Sequence, residues 1–255
     1  MAIEKKSCDL MYSIGGSPHL KFMKKIPNYK ALFDVLVFSP LSMPSCLSCR
    51  REIKKKEKFE SPQELMDFAS GCCNSFIKPS QVREEIGGLL SLLGEQPPKN
   101  VLEIGTANGG TLFLFCNSST PDATIISLDF GGYSSAQGWL YKSFAKKAQN
   151  LHLLRGDSHN AQSLEKIKSI LKGNPLDFLF IDGDHSYEGV KKDFEMYSPL
   201  VRKGGIIAFH DVVVHPPELR CEVSRFWEEL KQTHNTKELV KDKAQGWAGI
   251  GVVIA

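Results

Sequence analysis

Val101-Leu102-Glu103-Ile104-Gly105-Thr106-Ala107-Asn108-Gly109-Gly110-Thr111 is the stretch on which the fold turns. Four residues of strand character, Val101 to Ile104, run into a glycine-rich turn, and a helix is expected over roughly Gly110 to Cys116. Glycine adopts positive φ at little cost and lets backbone approach a ligand closely. The helix N-terminus beyond the turn favours carboxylate or other anionic groups. A dinucleotide turn would read Gly-x-Gly-x-x-Gly, but Ala107 stands at the third position, which disfavours a nicotinamide enzyme.

Downstream the pattern repeats. Strands are expected at Ala123–Leu128, Leu151–Leu154, Leu176–Ile181, Ile206–Phe209 and Gly249–Ile254. Helices are expected at Tyr141–Gln149, Ser163–Leu171, Tyr187–Leu200 and Val223–Lys231. Such alternation predicts an α/β fold with a mostly parallel sheet and helices on both faces. In such sheets ligands bind beyond the carboxyl ends of the strands. Those ends carry Glu103, Asp129, Asp157, Asp182 and Asp211, a rim suited to a neutral or cationic ligand with hydroxyls and amines.

Upstream the reading is coarser. Ser61-Pro62-Gln63-Glu64 has the make-up of a helix start, with Ser61 as cap, Pro62 at the first position and Glu64 as a capping-box acid. Lys78-Pro79-Ser80-Gln81 leads into a second helix with an apolar stripe through Val82, Ile86, Leu89, Leu90 and Leu93. Ala31–Phe38 reads as a short strand or helical turn, Met43–Cys46 as loop, and Arg50–Lys58 as a solvated basic helix. The expected division is an N-terminal helical or irregular extension, residues 1–79, before an α/β domain at 80–255.

The 255 residues carry a net charge of +3, too weakly basic for a dedicated nucleic-acid binder. No apolar stretch is long enough to span a bilayer, and no secretory leader is recognisable. A cytoplasmic protein with mostly reduced thiols is expected for the seven cysteines. Cys46-x-x-Cys49 with Cys72-Cys73 offers four thiols for zinc, although the adjacent second pair is awkward for one tetrahedral site.

The 101–111 stretch resembles motif I of class I S-adenosylmethionine-dependent methyltransferases. Leu128-Asp129 resembles the acidic strand end that holds the cofactor ribose, and Gly156-Asp157-Ser158 the segment beside its adenine. Phe180 to Val190 together with Gly204 to Val212 is similar to the group containing the cephalosporin-biosynthesis and sugar O-methyltransferases. Val223–Lys231 and Gly249–Val252 fit that group, and the resemblance covers roughly residues 80–255.

It implies a Rossmann-like fold and S-adenosyl-L-methionine held by Glu103, Gly105, Thr106, Asn108, Gly109, Asp129, Asp157, Ser158 and Asp182. It also implies a site for Mg²⁺ or another divalent cation at Asp182, His210 and Asp211, although His210 stands where some relatives have a second carboxylate. Asp182, His185 and His210 are the catalytic candidates. His185 is the first choice of base for a hydroxyl that loses its proton as it attacks the methyl group, with Asp184 as a residue that could orient it. The expected acceptor is a small molecule or sugar, with a homo-oligomer as a further expectation. Methylation of nitrogen or of a macromolecule is the second reading, and a non-catalytic cofactor-binding scaffold the third. An iron oxygenase is disfavoured because no two-histidine, one-carboxylate set is obvious in the sequence.

Overall fold

The computed structural model describes residues 43–56, 58–131 and 135–255. The Ala31–Phe38 expectation lies outside them. Three helices come first: α1 (Met43–Lys55), α2 (Pro62–Gly71) and α3 (Arg83–Glu95), with a 3₁₀ turn at Cys72–Ser75. Then follow β1 (Asn100–Ile104), α4 (Gly110–Ser118), β2 (Thr124–Asp129), α5 (Ser135–Tyr141), β3 (Asn150–Arg155), α6 (Ala161–Leu171), β4 (Leu176–Ile181), α7 (Tyr187–Tyr197), β5 (Val201–His210), α8 (Val223–Thr233), β6 (Asn235–Leu239) and β7 (Ile250–Ile254).

The seven strands form one sheet in the order β3-β2-β1-β4-β5-β7-β6. The first five are parallel, and β7 runs antiparallel to both β5 and β6. The expected Rossmann-like α/β fold is present. The order of connection reverses between β1 and β4, whose registered ends bring Ile104 opposite Ile181. This is the switch point where an open α/β sheet forms a crevice.

Packing explains how the segment before residue 80 joins the domain. Helix α4 is apolar on all sides, with Leu112, Phe113, Leu114 and Phe115 fully buried, so it needs cover beyond the sheet. Phe59 and Phe68 supply it, with ring centroids 6.1 and 5.8 Å from Phe113. Cys46, Cys49, Ile53, Leu65 and Met66 belong to the same core as α4. Each such side chain contributes roughly 1.5–3 kcal/mol when removed from water. Ser61 caps α2 as expected, accepting from the Glu64 N–H at 3.2 Å, while the Glu64 carboxylate turns back to the Glu60 N–H at 2.7 Å.

The structure corrects several boundaries. Met43–Cys46 is helix, because Cys46, Cys49 and Ile53 form a buried stripe on α1. The helix after β2 is Ser135–Tyr141, and Tyr141–Gln149 is mostly turn: Gln149 there spends its amide on the Cys116 and Thr120 carbonyls. Strand β5 begins at Val201 and passes through Gly204-Gly205, which reciprocal bonds to Ala255 hold in the ladder. Strand β6 escaped sequence reading altogether. Cys49 and Cys73 are disulfide-bonded, a departure at one pair from the expected mostly reduced thiols, while Cys46, Cys72, Cys116 and Cys221 carry free thiols. No helix among the described residues is long and apolar enough to cross a membrane.

Candidate active site

The turn after β1 has three residues at positive φ: Gly105 (89°), Ala107 (45°) and Gly109 (76°). Gly105 is required twice over, since a Cβ there would collide with the Asp182 carbonyl oxygen across the switch point. A Cβ on Gly109 would lie 2.8 Å from the Tyr141 ring. The turn is laced to β2, with the Gly105 N–H donating to the Leu128 carbonyl at 2.9 Å. Asp129 Oδ2 accepts from the Thr106 and Ala107 N–H groups at 2.9 and 3.1 Å, and the Tyr141 hydroxyl donates to the Ala107 carbonyl at 3.3 Å. Asn108 is half-buried at the outer bend.

Glu103 faces elsewhere. It is fully buried, and its two oxygens accept from Thr111 Oγ1 at 2.5 Å and Ser127 Oγ at 2.9 Å. Ser127 in turn bonds Thr106, so Glu103 braces the turn from inside the strand–helix junction. Burial pushes its carboxyl up to about 8 despite those two hydroxyls, with Asp182 and Asp129 adding to the rise. Asp157 is exposed and accepts from the His159 N–H at 2.8 Å. The Ser158 carbonyl accepts from the Tyr197 hydroxyl at 2.7 Å. These two sit at the end of β3, joined to the β2 end by the Gly156 N–H on the Asp129 carbonyl at 3.0 Å.

The second half of the site lies at the ends of β4 and β5. Ligating atoms of Asp182, His210 and Asp211 all lie within 4.8 Å of one another. His210 Nδ1 is 3.3 Å from both Asp182 Oδ1 and Asp211 Oδ1. His185 spans the same pair, Nε2 to Asp182 Oδ1 at 3.3 Å and Nδ1 to Asp211 Oδ2 at 3.1 Å. Asp211 is held at φ 65°, an uncommon conformation for a residue with a side chain and one that marks functional positions. Asp184 turns away: its Oδ1 accepts from the Ser186 N–H at 2.9 Å at the start of α7.

Burial opposes charge on His210, but Asp182 and Asp211 outweigh it and raise the imidazole to about 10. Burial likewise opposes the Asp211 charge, and His210 and its neighbours hold that carboxyl well below its usual range. Two adjacent buried carboxylates need positive charge between them. Imidazolium supplies it in the metal-free protein, and a divalent cation could replace the proton. His210 Nε2 is buried without a hydrogen-bond partner among the described residues, and Nδ1 is the nitrogen that faces both carboxylates. The donor set of oxygen and imidazole suits a borderline divalent ion as well as it suits Mg²⁺.

Three residues here were missed from sequence. Gln81 Nε2 donates to Asp182 Oδ2 at 3.1 Å from the segment just before α3. His215 Nε2 lies 3.3 Å from Asp211 Oδ1. Burial opposes its charge too, yet Asp211 and Cys221 raise it to about 10. Burial tends to raise the Cys221 thiol, but bonding to His185 and His215 brings it down to about 7. The only signals were Gln81 beside a helix start and a histidine four residues after Asp211.

Residues 102–212 match the family model described as a methyltransferase domain. Protein R132 of Acanthamoeba polyphaga mimivirus is 31% identical over 120 residues, covering 46% of this chain and 53% of R132. The chain thus spans about half the length of that relative. Among solved structures, the O-methyltransferase TomG of Streptomyces achromogenes, in complex with SAM, superposes with a TM-score of 0.53 at 16% identity, over 78% of this chain and 91% of TomG. The Bacillus cereus O-methyltransferase in complex with SAH gives a TM-score of 0.51 at 20% identity, over 89% and 96% of the two chains. At those identities the likeness is one of fold. The family match lies on the part of the chain that carries the glycine turn and the switch point, and the strand order is that of a Rossmann-like α/β fold.

Proposed function

We propose that the chain transfers a methyl group from S-adenosyl-L-methionine to a hydroxyl oxygen of a small molecule or sugar. The observation that carries this reading is the adjacency, across the β1–β4 switch point, of the turn held by Asp129 and the Asp182–His185–His210–Asp211 cluster. One half suits a nucleoside with an amino-acid tail, the other a polar acceptor.

The cofactor supplies an electrophilic methyl on a cationic sulfur. Asp129 and the turn from Gly105 to Gly109 would hold its ribose and tail, with Asn108, Asp157 and Ser158 lining the adenine side. Glu103 would act through the turn, because its own oxygens are engaged with hydroxyls. Asp182 and Asp211 would orient the acceptor hydroxyl, directly or with a divalent cation that Asp182, His210 and Asp211 would hold. Such a cation lowers the pKa of a bound hydroxyl. His185, whose side chain is 21% exposed against 7% for His210, is the reachable base. It would take the acceptor proton as the oxygen attacks, while the walls fix donor and acceptor in line.

The test is a mass-spectrometric screen for methylated product over catechols, phenols and sugar hydroxyls, with and without divalent cations. Asp182→Ala should bind cofactor as the native protein does and lose turnover. Full turnover in that variant would remove Asp182 from the reaction.

A further inference from the structure

Outside the residues matched to the methyltransferase domain, one cluster has the composition of a second site. The Sγ atoms of Cys49, Cys72 and Cys73 all lie within 4.8 Å of one another. Cys49 comes from α1, and the other two from the 3₁₀ turn. Cys72 Sγ is 3.0 Å from Cys73 Sγ and 3.4 Å from Glu52 Oε2. The same Glu52 oxygen accepts from the Cys73 N–H at 3.3 Å, which fixes the carboxylate beside Cys72. Glu52 lies three residues after Cys49, so both project from one face of α1.

A disulfide between Cys49 and Cys73 explains two of these groups and leaves two unexplained. It gives no reason for a third sulfur against the pair, nor for a carboxylate aimed at that sulfur. Cys73 itself is held at φ 61° and Ser75 at φ 65°, an uncommon backbone for residues with side chains.

We propose that the reduced protein binds one thiophilic divalent cation, zinc in the first instance, through the thiolates of Cys49, Cys72 and Cys73 and the carboxylate of Glu52. Three sulfurs and one oxygen complete a tetrahedral set. Tetrahedral zinc with Zn–S near 2.3 Å separates its sulfurs by roughly 3.8 Å, so the Cys49 and Cys73 sulfurs move apart from bonding distance once reduced, while the Cys72–Cys73 pair, 3.0 Å apart, opens only slightly. Entry follows reduction of the Cys49–Cys73 bond by a dithiol, which gives up two electrons and becomes a disulfide itself. The three thiols then release three protons to solvent as three metal–sulfur bonds form. Glu52 is exposed, which leaves a solvent route to the site. The ion would clasp α1 to the chain leading into Gln81, and α1 also reaches α5 through Arg50, stacked 4.2 Å above the Trp139 ring.

The experiment is a Co²⁺ titration of the full chain, reduced with a phosphine, in a Cys221→Ser background that removes the thiol of the active-site cluster. The expected result is sulfur-to-metal charge-transfer absorption of three thiolates that corresponds to one bound cobalt, with tetrahedral visible bands and displacement by zinc, in a Cys221→Ser protein whether or not Asp182 is also replaced by Ala. Cys72→Ser should lose about a third of that absorption. Glu52→Gln should keep the sulfur band while weakening affinity about tenfold or more, and Cys46→Ser should leave both intact. A folded, reduced protein without a sulfur band overturns the proposal. So does a band unchanged by Cys72→Ser, or peptide mapping that finds Cys49–Cys73 still bonded under reductant.

Discussion

Glu103→Gln should stabilise this protein near neutral pH. Glu103 lies fully buried between β1 and α4, and its donors among the described residues are the Thr111 and Ser127 hydroxyls. Burial dominates and raises its pKa from 4.5 to about 8. A carboxyl with a raised folded pKa favours the folded state fully below its unfolded pKa. It loses that contribution as pH rises, because the unfolded chain ionises and the folded one does not. The loss runs at about 1.4 kcal/mol per pH unit from about pH 4.5 towards pH 8, which gives at most ~3 kcal/mol near pH 7. Glutamine keeps the shape, accepts one hydroxyl and donates to the other, and does not titrate. Urea unfolding of both proteins across this range should show near-equal stability around pH 4.5 and a growing advantage for the variant towards pH 7. A gap independent of pH, or a variant that loses ground as pH rises, would refute the reasoning.

Three further outcomes are expected. Gly109→Ala places a Cβ at φ 76° and 2.8 Å from the Tyr141 ring. It should cost about 1–2 kcal/mol in a thermal melt and weaken cofactor binding about tenfold by calorimetry. Glu85, buried, accepts from the Gly249 and Lys241 N–H groups at 2.9 and 3.1 Å and from Gln245 Nε2 at 2.8 Å. Glu85→Ala strands these donors and should cost about 3 kcal/mol, with hydrogen exchange at the Lys241 and Gly249 amides accelerating first. A divalent cation at Asp182, His210 and Asp211 must displace the His210 proton, held up to about 10. Binding should therefore release about one proton near pH 8 and tighten about tenfold per pH unit above pH 7, as read from calorimetry in buffers of different ionisation enthalpy.

The parallel half of the sheet was legible because each strand is a short apolar run ending in an acid. Asp129, Asp182 and Asp211 were found by that rule, and the structure brings them to one rim. Strand β6 was not legible. Asn235-Thr236-Lys237-Glu238-Leu239 is an edge strand with one neighbour and no fully buried residue, so nothing in it forces alternation. Helix α1 hid its apolar stripe among basic residues, and Met43-Pro44 read as loop because proline breaks helices except at their start. At the site, Gln81 reaches Asp182 across 101 residues of sequence, a relation only the fold creates. Glu103 shows the opposite limit: its place at a strand end was plain, but the direction of its side chain depends on Thr111 and Ser127.

The central claim is that the turn after β1, held by Asp129, binds S-adenosyl-L-methionine. Isothermal titration calorimetry of the full chain with that cofactor, repeated on Asp129→Ala, tests it directly. The account predicts a dissociation constant on the order of micromolar for the native protein and a loss of binding in the variant. A folded native protein that gives no heat of binding, with or without Mg²⁺, or a variant that binds as tightly as the native chain, would contradict it.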